Sequence, residues 1–486
     1  MRKFHLTEAV GLLVTSANQP GRDLQMPGEP HYKPKDLRPY LGYDQRVGWQ
    51  IIVEWAWLRA LAHHKIIPPQ YTVMLTSELL AVLLAEITTT KVTALERQDG
   101  VGHDIIALLM LMRELLPNQL HPFLHWGLTS YDTISCAYAL AARQTFKCVF
   151  EPKCQEVDEL WRQRIGETAE KLQIGRTHLQ HGLPITIGAW LTPLHRRFIN
   201  TVKKAGEAVK EIHGKFSGAQ GTNNALKVLA QGVPLEKTAL AYLDLPEAEP
   251  ATQLPLPEGM ARFYSEITFI SAALAGLGED VRHLQSSDIE EIGSEGSTSS
   301  TMSHKTSNPI AAENQAGMHK SVRCEYYKVL ETMNSDLQRD LRYSNVMRGY
   351  PAVMVFTYQQ LLTVMRVFKS FRVNEQRCQE NFWRNGKLVV AELLHLTLQI
   401  AGYPDARKFV NDKIVPLARG TGSTLDVAMD TYLGSSEDVR LLRMWTETSP
   451  KIKHILAHPE EYLGDSVSIA QAETTWALDP MRKHVL

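Results

Sequence analysis

Phe263, Ile267, Ile270, Leu274, Leu277, Val281 and Leu284 recur at alternating steps of four and three residues, and this stripe constrains the fold more than any other feature of the chain. It is the seam of a helix packed along its whole length. A strand would instead alternate every second residue. A near-heptad stripe runs through Ile187, Leu191, Leu194, Phe198, Val202, Ala205, Val209 and Ile212, and a third through Met354, Tyr358, Leu361, Met365 and Phe368. Pro193 predicts a kink near the start of the helix that carries the former. Stripes this long exceed what one helix pair needs. They predict an all-α chain with a central bundle of long helices that continues across a subunit interface, and hence a homo-oligomer.

The segments around the bundle read differently. Residues 17–37 are rich in proline, glycine and charge, so residues 1–36 are expected to form an extended arm. The pattern from Tyr43 to Ile67 predicts an amphipathic helix closed by prolines, and Val73 to Thr88 predicts another. Beyond Arg372, helices shorten and break at Gly402-Tyr403-Pro404 and at Gly420-Thr421-Gly422. Three helical domains are therefore expected, at 37–135, 136–372 and 373–486.

With 486 residues the chain is long enough to bury a large core. Its 52 basic and 53 acidic side chains nearly cancel, which argues against nucleic acid or an anionic membrane as a general partner. Five cysteines without CxxC spacing suggest neither a disulfide framework nor a thiolate metal site, and fit a reducing cytoplasm. The longest apolar runs fall short of the roughly 18–20 residues needed to span a bilayer. No Gly-rich nucleotide motif occurs, so no cofactor and no metal are expected.

The chemistry-bearing residues gather in polar knots expected at helix termini. His103 and Asp104 open an apolar helix, where capping and a site role are both open. His125-Trp126-Gly127-Leu128-Thr129-Ser130 precedes another; Thr129 or Ser130 serves as an N-cap, or the hydroxyls and free amides form an anion pocket. Gly175-Arg176-Thr177-His178-Leu179-Gln180-His181 precedes the helix of the second stripe. Gly296 to Asn314, GSTSSTMSHKTSNPIAAEN, reads as a mobile polar loop feeding a helix that starts at Pro309. Serines and a lysine on a loop, with histidines at helix starts, suit proton transfer and stabilisation of a developing anion.

The run Ser299-Ser300-Thr301-Met302-Ser303-His304-Lys305, followed by Asn308-Pro309 and Glu313, resembles the mobile loop of the fumarase/aspartase superfamily, usually GSSxMPxKxNP. Thr298 and Ser303 replace that family's glycine and proline, and one extra residue separates Lys305 from Asn308. HWGLTSYDT and GRTHLQHGLP match the other two shared regions in order and rough spacing. Within the superfamily, GHDIIALLMLMREL, KFSGAQGTNNAL and the Arg339-Asp340, Ser344, Arg348 pattern are similar to the adenylosuccinate lyase family. After Thr252-Gln253 that family carries an Arg-Asp pair where this chain has LPLPEGMAR.

The resemblance implies a fumarase/aspartase-like homotetramer with shared active sites and a succinyl-nucleotide substrate split by β-elimination of fumarate. It implies Ser299 as base, His178 as acid, Glu313 coupled to His178, and Lys305 steadying the anion. His103, Asp104, His125 and Thr177 would line the pocket, with Gln253 on the substrate. Thr129, Ser130, Lys305 and Asn308 would hold the succinyl carboxylates, and Arg339, Ser344 and Arg348 a phosphate. A carboxymuconate cycloisomerase-like or argininosuccinate lyase-like member, or a catalytically silent helical scaffold, are the alternatives.

Overall fold

A computed structural model describes residues 5–16, 24, 32–247, 250–294, 302, 304, 308–334, 337–339 and 342–476. The long elements are α1 (Leu6–Ser16), α2 (Gln45–His63), α3 (Asp104–Leu115), α4 (Ser130–Thr145), α5 (Glu151–Glu167), α6 (Ile187–Ala208), α7 (Glu258–Leu284), α8 (Ile310–Glu331) and α9 (Tyr350–Ser370). Sheet among the described residues is limited to two antiparallel pairs, β1 (Leu172–Thr177) with β2 (Gln180–Thr186) and β3 (Ile292–Gly293) with β4 (Arg372–Val373). The all-α expectation holds. Two compact units form: Met1–Glu156, Phe198–Ala275 and Gln315–Thr363 make the first, and Val157–Arg197, Gly276–Asn314 and Val364–Leu486 the second.

In the first unit α2 is buried nearly all round, from Val47 to Ala62. The expected amphipathic helix is thus corrected to a core helix, because its flanking elements cover both faces. Its polar side chains find partners inside: Gln45 donates to the Pro39 carbonyl at 2.5 Å, and Arg59 to the Leu75 carbonyl at 3.0 Å. Trp57 stacks on Phe216 with centroids 5.2 Å apart. At Gly48 a Cβ would meet Leu13 Cδ1 at 2.2 Å, so glycine is what lets α1 lie against α2. That helix also corrects the arm expected at 1–36: Ala9, Val10 and Leu13 give α1 an apolar face, and they are buried.

All seven residues of the first stripe are buried by the chain itself. The stripe therefore does not by itself require a neighbouring subunit. Register in this part of the bundle is pinned by a reciprocal pair, with Gln315 donating to the Gln360 carbonyl at 2.8 Å and Gln360 to the Gln315 carbonyl at 2.9 Å. Gln360 also reaches the Ser271 carbonyl at 3.3 Å, and the Ser271 hydroxyl lies 3.0 Å from His319 Nδ1. Three helices are tied at one level by side chains too buried to exchange these bonds for water. α6 runs unbroken through Pro193.

The second unit has an apolar cluster drawn wholly from its C-terminal part, including Val390, Leu394, Val410, Ile414, Met429 and Leu441. Gly422, at φ +64°, ends one of its helices at the predicted break. The helix α10 (Ser466–Thr474) is held by a buried imidazole. His195 Nε2 lies 2.8 Å from Asp158 Oδ1 and Nδ1 lies 2.6 Å from Glu473 Oε1, so the ring bridges two carboxylates. Arg162 and Arg196 bond the same carboxylates at 3.2 Å. Burial would raise the Asp158 carboxyl, but the bonds from His195 and Arg162 outweigh it and hold Asp158 below its ordinary value.

Replacing His195 by alanine leaves two buried carboxylates facing one another, and should cost the fold about 3–5 kcal/mol in denaturant unfolding. In the native protein the Asp158 contribution is present above the ordinary aspartate range and is lost as pH falls through its depressed folded value. Acid melts should show that loss. A His195→Ala protein as stable as wild type would refute the account.

Candidate functional site

The first unit gathers most of the residues singled out from sequence. His103 is the N-cap of α3: its Nδ1 accepts from the Ile105 amide at 3.1 Å, which leaves Nε2 to carry the proton of the neutral ring. Nε2 lies 3.4 Å from Ser130 Oγ. Asp104, in the first turn of α3, has its Oδ2 3.6 Å from Arg348 and 3.9 Å from Arg46. Tyr131 lies within electrostatic reach of Ser344 and Arg348, and Tyr138 of Arg46 and Arg348. Burial, with Tyr138 adding, pushes the Tyr131 phenol up to about 12 against the pull of Arg348 and Ser344, so it stays protonated at neutral pH. His103, Asp104, Ser130, Ser344 and Arg348 thus share one polar cluster.

Beside the cluster is a cavity of about 550 Å³. Trp49, Ile134 and Val355 give it apolar walls, and Arg46, Tyr138 and Arg348 line it as well. An apolar chamber with two guanidiniums can hold a flat ring that bears an anionic group. Arg339 donates to the Thr332 carbonyl and, at 3.4 Å, to the Asn334 carbonyl. The Gln253 amide donates to the Gln338 carbonyl at 3.1 Å, placing the two segments side by side.

The capping reading of Thr129 is met. Thr129 caps α4 in a reciprocal box with Asp132, whose Oδ2 accepts the Thr129 amide at 2.8 Å. Asp132 in turn is fully buried against Lys215, and the Gly218 amide donates to it at 3.2 Å. Burial dominates the Asp132 carboxyl and raises it, with Lys215 opposing. His125 Nδ1 lies 2.7 Å from Glu54 Oε1.

The second unit places Thr177 and His178 at a hairpin tip. His178 and Leu179, at φ +54° and +58°, are the two central residues of a tight turn between paired Thr177 and Gln180. Such turns match the twist of the flanking strands but require left-handed backbone. The expectation of His178 at a helix start is corrected: Gly175 and Pro184 hide the strand pattern, and α6 begins only at Ile187. The hairpin is anchored by Glu291, which is fully buried. Arg176 grips it with two bonds of 2.9 and 2.5 Å, Gln173 donates at 2.9 Å and Asn381 at 3.1 Å. Glu313 is exposed in the first turn of α8, and among the described residues it makes no hydrogen bond to His178. Asn308 is half-buried just before α8. Ser299 and Lys305 lie outside the described residues.

Sequence reasoning missed Arg46, Glu54, Tyr131, Tyr138, Lys215 and Glu291. One signal for Glu54 was present: a lone carboxylate inside IIVEWAWL has no place in a core unless it is paired. Among the described residues no group of three or more His, Cys, Asp or Glu could hold a metal, and no helix is long and apolar enough to cross a membrane.

The lyase family pattern matches residues 61–324, over half of the chain. A lyase-class enzyme is thereby defined. The chain belongs to the fumarase/aspartase superfamily of lyases. It is similar to the adenylosuccinate lyase of Thermotoga maritima, 29% identical over 314 residues, covering 62% of this chain and 69% of the relative. It is also similar to that of Methanothermobacter thermautotrophicus, 27% identical over 453 residues, covering 90% and 96%. The fold matches 3-carboxy-cis,cis-muconate lactonizing enzyme from Pseudomonas putida with a TM-score of 0.77 over 92% of this chain and 97% of that one, at 19% identity. A fumarate lyase from Mesorhizobium sp. BNC1 matches with a TM-score of 0.74 over 93% and 100%, also at 19% identity.

Removing the Glu291 anchor by Glu291→Ala takes from Arg176 its carboxylate partner and leaves the guanidinium, among the described residues, with only the Ile174 carbonyl, and should destabilise the protein by about 3–5 kcal/mol. Protease cleavage near His178 should rise. Unchanged stability together with unchanged cleavage would show that the hairpin is held some other way.

Proposed function

We propose that this chain splits adenylosuccinate, and the corresponding succinyl-aminoimidazole-carboxamide ribotide, by β-elimination of fumarate, a step of purine nucleotide biosynthesis. The observation that carries the reading is the meeting of Ser344 and Arg348 with Asp104, Ser130 and His103 beside an apolar cavity. A nucleotide needs this combination of flat apolar walls and a cationic, hydroxyl-bearing end. Adenylosuccinate lyases among the curated relatives support it.

Ser299, as its alkoxide, takes the proton from the carbon next to a succinyl carboxylate. The electron pair left on that carbon forms the fumarate double bond as the carbon–nitrogen bond breaks, and His178 gives its proton to the departing nitrogen. Lys305 and the N-terminus of α8 favour the alkoxide and the carboxylate-rich intermediate. Glu313 orients His178; Thr177, His103 and His125 line the pocket. Thr129, Ser130 and Asn308 hold carboxylates, Gln253 holds the substrate, and Arg339, Ser344 and Arg348 take the phosphate. The three regions come together from different protomers of a cytoplasmic homotetramer built on the 37–135, 136–372 and 373–486 division.

Purified protein given adenylosuccinate should release fumarate and change its ultraviolet absorbance; no release on this substrate overturns the assignment. Ser299→Ala should lower kcat by roughly 10²–10⁴-fold. Arg348→Met should raise KM and weaken competition by AMP roughly ten- to hundredfold, the scale of a lost charged hydrogen bond, with a smaller effect on kcat.

A further inference from the structure

Glu54 takes no part in the chemistry above, yet the structure builds a turn around it. It sits midway along α2 with no exposed surface. Its Oε1 accepts from His125 Nδ1 at 2.7 Å and from Thr133 Oγ1 at 2.5 Å. Among the described residues Oε2 has no hydrogen-bond partner, so the carboxylate bonds through one edge, toward His125. His125 itself is held in left-handed backbone, at φ +59°, and Gly127 follows at φ +77°. One turn of α2 further on, Trp57 Nε1 donates to the Trp126 carbonyl at 2.9 Å. A Cβ on Gly127 would meet Leu226 Cδ2 at 2.4 Å, so the turn is pressed from its far side too. One helix therefore fixes both the backbone of this turn and the ring it carries. Left-handed backbone at a bulky residue persists only where its surroundings over-determine it.

We propose that Glu54 is a positioning residue for the lyase reaction, holding His125 with Nδ1–H committed to the carboxylate and Nε2 presented as the cationic edge that faces an anionic group of the substrate. This rests on the reading of His125 as a pocket residue. Nε2 makes no hydrogen bond among the described residues, and the side chain retains 16% exposure, enough for one ring edge to meet a ligand. The charges around the ring are Glu54 on α2, Asp132 on α4 and Arg113 on α3, with Lys215 bonded to Asp132. Burial alone would push the imidazole toward neutrality. The Glu54 charge and hydrogen bond, helped by Asp132, outweigh burial and the opposing Arg113, and raise the imidazole above its ordinary value. The cation therefore persists to higher pH with Glu54 present and is lost as pH rises through the raised value.

The test pairs Glu54→Gln with His125→Gln and their double variant, assayed for fumarate release from adenylosuccinate across pH. Glu54→Gln should lower kcat/KM roughly tenfold, the scale on which losing an orienting partner behind a histidine acts, and move the alkaline limb of the profile to lower pH. The double variant should be no slower than His125→Gln, because Glu54 acts only through that ring. An unmoved limb, or a further loss on adding Glu54→Gln to His125→Gln, overturns the proposal in favour of a packing role. If wild type releases no fumarate, the substrate reading fails and the proposal is decided by nuclear magnetic resonance titration of the full chain, with His125→Gln assigning the signal. His125 should then titrate above free histidine and fall in Glu54→Gln; titration at or below free histidine in wild type overturns it, and does so even if Glu54→Gln does not fold.

Discussion

The Asp132 carboxylate, fully out of water, is the point from which the first unit is organised. Such a charge is tolerable only if fixed donors answer it, and Lys215, the Gly218 amide and the Thr129 amide do so. The first two of those bonds join the start of α4 to a loop more than eighty residues further along the chain. Because Asp132 closes the cap of α4, the same bonds set where Ser130 and Tyr131 point. Ser130 then meets His103, and Tyr131 meets Ser344, so a buried ion pair ends by placing a polar cluster beside a cavity.

The second unit repeats the device with different chemistry. Glu291 is answered by a bidentate arginine and two amides, and the hairpin that carries His178 is the part it steadies. His195 inverts the arrangement, a buried imidazole shared by two carboxylates that fastens α10. In each case at least one partner comes from a distant segment of the same unit. Pairing of this kind contributes less to net stability than to selecting one arrangement, since a wrong one leaves a bare charge in the core.

Two arginines flank Asp104: Arg348 at 3.6 Å and Arg46 at 3.9 Å are spaced for attraction rather than for tight hydrogen bonds. On the proposed function, an entering phosphate would compete with one carboxylate for both guanidiniums. Arg339 is committed to backbone carbonyls of its own segment, so its expected share in phosphate binding depends on releasing them.

How far the sequence could be read follows from the range of each signal. The four-and-three spacing of Phe263 to Leu284 determined a long buried helix, because helical period and apolar burial are local properties. His103 and Thr129 were legible at helix starts for the same reason, since a cap bonds within its own first turn. The hairpin at His178 was not, because its left-handed turn is imposed by Glu291 and strand pairing rather than by an Asn-Gly signal. Nor was the burial of α2 on every side, which depends on what packs over its polar residues. Glu54 and His125 are 71 positions apart, and no periodicity couples residues at that distance. Sequence by itself thus determined which segments are helical and which carry polar chemistry; only the tertiary structure decided which charges meet, because the partner of a buried charge is chosen by packing between segments and not by the spacing within one.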